Sequence, residues 1–263
     1  FVYLLVCFFF NADLSAQQIS EHQAREVYRE IVRAIGNNNP RAPNLEFKNS
    51  ERSPARYSPS KKEIIIENKV LAICSEFGKN SLDALAYILA HELGHHYRHH
   101  GWEAEYVSLD FSESKDKKRS SEEKLKYETE ADIYAGFYAH IAGYDALSFA
   151  EEFLDKIYTN YDLPDKLKGY PSLEERKKII SKNKSDFNEL KDLFDAANIC
   201  MSIGQYQNAK ELYNHIINKG FNSREIVNNL GLCYVYQALD LDVEDKFKAL
   251  IPFKLDLSTR LEH

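Results

Sequence analysis

Apolar residues recur at helical spacing along most of this chain, and the exceptions mark its boundaries. Between Ile19 and Ile35, Val27, Ile31 and Ile35 share one helical face, and Gly36-Asn37-Asn38-Asn39-Pro40 ends the run. Residues 45–70 read differently: Pro43, Pro54 and Pro59 punctuate short stretches, and Glu63-Ile64-Ile65-Ile66-Glu67 is a β-branched run of strand length. Helical periodicity resumes at Ser81, read as an N-cap, with Asp83 suited to the helix's positive end. Leu82, Leu85, Ala86 and Leu89 form its apolar stripe, and Gly101 is its expected terminator. The polar stretch 103–118 predicts a loop, and between two site-bearing helices it could serve as a lid. Helices are then expected from Ser120 or Ser121 to about Ala142, capped by Gly143; over 147–158; and from Leu173, after a break at Pro164, Gly169 and Pro171.

The two ends carry patterns of their own. Residues 1–10 form an unbroken apolar run that turns small and polar by Ala16. Too short to span a bilayer, the run is the expected core of an export signal, clipped at its start and cut between Ala16 and Gln17. Bulky Val6 beside Cys7 argues against lipid attachment there. No later segment is long and apolar enough to cross a membrane, so membrane association is expected only through the uncleaved N-terminus. At the other end, Ala196, Ala197, Gly204, Tyr206, Ala209 and Tyr213 resemble a tetratricopeptide unit, and Asn229 to Tyr234 the opening of the next. Ala197 and Gly231 fill the same small-residue slot 34 positions apart, the period of that repeat. Helical hairpins that grip a protein partner are expected there, the second one incomplete.

Composition narrows the reading. A length of 263 residues allows one large domain or two modest ones, and 44% hydrophobic with 29% charged residues is an ordinary globular balance. A net charge of −7, with Lys and Arg scattered, sets nucleic acid aside as a partner. After the expected cut Cys74, Cys200 and Cys233 remain, too widely spaced for a zinc ribbon or a dense disulfide framework. They read as buried thiols, with a Cys200–Cys233 bridge left open for an oxidising compartment.

The chemistry lies in His91-Glu92-Leu93-Gly94-His95. Two histidines four apart project from one helical face, so both imidazoles can bind one Zn²⁺. Glu92, rotated off that pair, can take a proton from an attacking water and return it to a leaving amine. Gly94 costs about 1 kcal/mol against Ala inside a helix, and so implies a packing or site reason. A catalytic zinc needs a third protein ligand. Glu128-Thr129-Glu130-Ala131-Asp132 offers one: Glu128 and Asp132 share a helical face, Glu128 able to reach the metal and Asp132 placed to accept a hydrogen bond from a ligand histidine. Ala131, Ala135 and Gly136 are small enough to let this helix approach the first closely, and Glu130 fits a solvated face. His96, His99 and His100 read as a polar, partly exposed helix end, and His140 as a packed histidine.

The two motifs in this order resemble the gluzincin peptidases of the CAAX prenyl protease family, and are most similar to its soluble, exported bacterial members with tetratricopeptide repeats after the catalytic domain. That family's pattern is a metal-binding histidine pair, a later Glu-x-x-x-Asp, and a His-Pro followed by an Arg. Over residues 44–178 the resemblance implies that His91, His95 and Glu128 hold one Zn²⁺ per chain, with Glu92 the catalytic base and Asp132 the orienting carboxylate. The third element stands as Tyr170-Pro171 with Arg176 following. Tyr170 replaces the family histidine and either donates a hydrogen bond to the oxyanion or packs beside Pro171; Arg176 matches. The expected catalytic set is thus Glu92, Tyr170, Asp132 and Arg176.

The fold expected is α+β and predominantly helical. Residues 1–16 form the signal, 17–185 a zincin-type metallopeptidase domain with a small sheet, and 186–263 the tetratricopeptide-like region. The expected function is a zinc endopeptidase acting on envelope or misfolded proteins in the periplasm or cell envelope, with an extended substrate adding to the sheet at residues 64–67. The alternative is a non-catalytic binding or chaperone module whose zinc site is idle or structural.

Overall fold

The computed structural model describes residues 18–36, 41–50, 53–98, 104–105, 121–165 and 172–242. Helix α1 (Glu21–Ile35) starts at a capping box, in which the Ser20 hydroxyl accepts from the Gln23 backbone and the Gln23 side chain reaches back to the Ser20 amide. It stops at Gly36, whose φ of 89° suits glycine alone and where an added Cβ would stand 2.8 Å from Arg224 Cβ. Strands β1 (Asn44–Lys48), β2 (Ala55–Ser58) and β3 (Glu63–Glu67) follow. The β-branched run forms β3 with the boundaries the pattern gives, and Ile64, Ile65 and Ile66 are buried on both faces.

Helix α2 (Asn68–Ser75) leads through a 3₁₀ turn at Gly78–Asn80 into α3 (Ser81–Tyr97), and β4 (Ala104–Glu105) completes the sheet in the order β1-β3-β2-β4. Two expectations change here. Ser81 is not an N-cap: the preceding 3₁₀ turn runs straight into the helix, so Ser81 is its first residue and Asn80 the cap. Nor is β3 a free edge for substrate, because β1 pairs with it in parallel on one side and β2 antiparallel on the other. The edges are β1 and β4.

Helix α4 (Ser121–Ile141) ends before Gly143, which has a φ of 91°. A 3₁₀ turn at Ala146–Phe149 precedes α5 (Ala150–Asn160). Next come the 30-residue α6 (Leu173–Ser202), then α7 (Tyr206–Asn218) and α8 (Arg224–Asp242). The architecture is predominantly helical with one small sheet. Helix α6 packs on α7 and α7 on α8, as successive hairpin arms do. The boundary expected at residue 185 falls inside α6, which runs through it unbroken, and one apolar cluster extends from Ile19 to Cys233. Its seam is Phe221, in the turn before α8, whose ring lies 5.1 Å from that of Tyr134 and 5.2 Å from that of Phe137, both on α4. Tyr134 donates to Gly220 O and Tyr138 to Asn222 O, so the helical region leans on α4.

Cys74, Cys200 and Cys233 are all free thiols; Cys74 and Cys233 are buried and Cys200 is half-buried. The Cys200–Cys233 bridge is not formed, and Cys233 Sγ instead lies 3.4 Å from Met201 Sδ. Among the described residues no helix is long and apolar enough to cross a membrane. The export signal, Gly101 and most of the predicted 103–118 loop lie outside the described residues.

Candidate metal centre

Helix α3 is the structural axis of the site. Every residue from Ala84 to His96 is buried, which a helix tolerates at apolar positions but which desolvates five side chains with polar atoms, Tyr87, His91, Glu92, His95 and His96. Such groups stay inside a fold only where partners compensate them.

His91 and His95, one turn apart, bring their Nε2 atoms within 3.1 Å of each other. Glu128 enters from α4, with carboxylate oxygens 3.4 Å from His91 Nε2 and 3.7 Å from His95 Nε2. Donor atoms held about 2.1 Å from one ion in a tetrahedral array stand about 3.4 Å apart, so these separations bracket a shared metal. One donor atom from each of the three side chains lies within 4.8 Å of the others, and all three side chains are buried. Neither Glu128 oxygen makes a well-formed hydrogen bond.

Gly94 is the packing reason that the two helices can meet. A Cβ added there would lie 3.2 Å from Ala131 Cα and 3.3 Å from Ala131 O on α4. Ala131 is therefore a contact residue, as its size implies. Gly136 serves another neighbour: its absent Cβ would meet Phe187 Cδ2 of α6 at 3.0 Å and Leu147 Cδ1 at 3.3 Å.

The surrounding shell sets orientation and charge. His91 Nδ1 donates to Asp132 Oδ1 at 2.8 Å, leaving the Nε2 lone pair turned toward His95 and Glu128. The Tyr87 hydroxyl donates to the same Asp132 oxygen at 2.7 Å. Arg176 Nη2 lies 3.6 Å from Glu128 Oε2 and 3.8 Å from Asp132 Oδ1. It is placed there by a capping box of Ser172 and Glu175 that starts α6 one residue later. Asn183 ties α6 to Thr129 O nearby. Arg176 and Asp132 thus hold Glu128 and His91 in place.

Burial alone would push the His91 imidazole toward neutrality, yet its bonds to Asp132 and Glu128 hold the metal-free group up at about 9. Burial works against the Glu128 carboxylate, but the two imidazoles and Arg176 hold it down at about 2. Three buried carboxyl side chains, Glu92, Glu128 and Asp132, and the two imidazoles gather here with one buried guanidinium, a nitrogen and oxygen donor set that fits a divalent metal ion.

Structure and sequence part at one histidine and a tyrosine. His96 is buried rather than partly exposed, because its Nδ1 meets the Tyr57 hydroxyl of β2 at 2.8 Å and the rings pack edge to face. His140 is a packed histidine as read, paired with Asp195 Oδ1 at 2.9 Å and set against Phe187 and Phe194. Glu130 keeps to the outer face with Arg98 and Lys126. Tyr87 was not picked out from the sequence, although it precedes His91 by four positions on the same helical face. Tyr170, His99 and His100 lie outside the described residues. Comparison of the chain with protein-family models, curated proteins and solved structures returns no match.

Proposed function

We propose that this chain is a zinc-dependent endopeptidase of the gluzincin type, similar to exported members of the CAAX prenyl protease family. On this reading it hydrolyses peptide bonds of envelope or misfolded proteins. One observation carries the proposal: two imidazoles from α3 and a carboxylate from α4 converge as a three-residue donor set, with a potential general base, Glu92, in the same helical turn. Three protein ligands are the complement of a catalytic zinc, which keeps its fourth position for solvent or substrate.

A bound Zn²⁺ supplies Lewis acidity that polarises the scissile carbonyl and acidifies the attacking water. The chain's own residues do the rest. Glu92 takes the proton of that water through a carboxylate oxygen and hands it to the leaving amine nitrogen. Asp132 holds the His91 proton on Nδ1, so that Nε2 presents a lone pair. Arg176 balances the charge of Glu128 and Asp132. In the same proposal Tyr170 donates to the oxyanion as the tetrahedral carbon forms. The zincin identity of the α3–α4 region and the tetratricopeptide character of α6–α8, which would grip a protein partner, belong to this reading, as does export to the periplasm or envelope. The 34-residue spacing and the successive packing of α6, α7 and α8 support the repeat.

One observation favours a second reading, a binding module with a closed structural metal. His91, Glu92, His95, Glu128, Asp132 and Arg176 are each at most 2% exposed. A structural site has no use for Glu92, which decides our preference. The test is zinc analysis with cleavage of an unfolded protein by wild type and Glu92→Gln. The variant should keep its zinc and lose at least about 10²-fold in kcat. Wild-type rates in the variant would defeat the mechanism, and a metal bound by four protein groups would favour the closed site.

A further inference from the structure

Asp132 is held by two donors on one oxygen. Tyr87 OH and His91 Nδ1 reach Oδ1 at 2.7 and 2.8 Å, while Oδ2 makes no hydrogen bond. Both donors stand on α3, one turn apart, and Asp132 stands on α4. A carboxylate with a single donor can rotate and exchange its oxygens, because its terminal torsion is broad. The second donor removes that freedom. Tyr87 is suited to the task because its own ring cannot move. It is fully buried, set edge to face against Phe153 of α5 with centroids 6.0 Å apart, and tilted against the His91 ring at 6.3 Å.

We infer that Tyr87 is a positioning residue of the metal centre: by holding Asp132 Oδ1 against His91 Nδ1, it fixes the imidazole orientation and tautomer in which Nε2 can ligate. The inference rests on the metal-centre reading above and extends it from the ligands and Asp132 to a third layer. It also explains the polar atom of Tyr87, since a Phe would fill the same space.

The test uses the full chain and four proteins: wild type, Tyr87→Phe, Asp132→Asn and the double variant. Zn²⁺ affinity is measured by competition with a chromophoric chelator, the Co²⁺-loaded forms are compared by visible absorption, and the metal-free forms are melted. Outer-shell partners of a ligand histidine are typically worth 10–100-fold in metal affinity. Tyr87→Phe should weaken Zn²⁺ about tenfold, change the Co²⁺ spectrum, and melt near wild type without metal. Added to Asp132→Asn, it should cost nothing further, because it acts through that carboxylate. Unchanged Zn²⁺ affinity and Co²⁺ spectrum in Tyr87→Phe overturn the inference alone. So do losses that add in the double variant, or a metal-free melting loss that accounts for the whole change. A wild type that binds neither ion overturns the metal-centre reading with it. Should Asp132→Asn fail to fold, the Tyr87→Phe comparison still decides, since it removes a single oxygen.

Discussion

At the scale of single residues, the site is a balance between protons and a cation competing for one imidazole. In the metal-free protein the His91 pKa is raised to about 9, above its unfolded value of about 6.5. Its contribution to stability is therefore complete below about 6.5 and is lost as pH rises through about 9. Glu128 is depressed to about 2, so its contribution is present above about 4.5 and lost as pH falls toward 2. A metal must displace the His91 proton, which makes metal affinity climb with pH. We expect the Tm of metal-free protein to fall between pH 6.5 and 9 while the increment added by Zn²⁺ grows. Thermal melts with and without Zn²⁺ across that range check it, and a metal-free Tm that climbs instead contradicts the His91 assignment. The convergence of His91, His95 and Glu128 was legible from spacing, since four-residue intervals on two helices leave little choice of face. Burial of His96 was not legible, because its partner Tyr57 lies on a strand 39 positions away, and no local pattern records such a contact.

At the scale of elements, the candidate metal centre depends on how closely α3 and α4 approach. Gly94→Ala puts a methyl about 3.2 Å from Ala131 Cα, so α4 must shift by a few tenths of an ångström. Alanine's better helix propensity offsets part of that strain, by about 1 kcal/mol. Stability should therefore move little while Zn²⁺ affinity falls, and Gly94→Val should lose both. Chelator competition beside thermal melts distinguishes these outcomes; equal affinity in Gly94→Val would show that the helices have slack. The strand at Glu63–Glu67 and the C-terminal ends of α1 and α4 were readable because β-branched runs and terminal glycines act locally. Its place inside the sheet was not readable. Which strand lies beside which is set by long-range pairing, here a parallel partner, Asn44–Lys48, that arrives earlier in the chain.

Considered whole, the molecule has one apolar core where the sequence suggested two regions. The helical character of the C-terminal region could be read, but its docking could not, because that depends on Phe221 meeting Tyr134 and Phe137 across more than eighty positions. Phe221 is half-buried, so Phe221→Ala should cost roughly 2 kcal/mol, less than a fully buried Phe. It should also raise protease susceptibility in the turn between α7 and α8. Limited proteolysis and melting measure this, and an unchanged cleavage pattern would show that the hydroxyl bonds of Tyr134 and Tyr138 suffice to hold the junction.

The helix that carries Glu128 and Asp132 also hooks, through Tyr134 and Tyr138 within three turns of Glu128, the carbonyls of Gly220 and Asn222. Jaw and handle are therefore cast on one rod. Any molecule that bound α7 and α8 and moved them would strain the same rod that sets the carboxylates, and by reciprocity whatever factor it applied to ion affinity the ion would apply to its own. Cutting the handle away would not leave a simpler domain but a jaw with Tyr134, Phe137 and Tyr138 laid bare, prone to stick to whatever protein it meets.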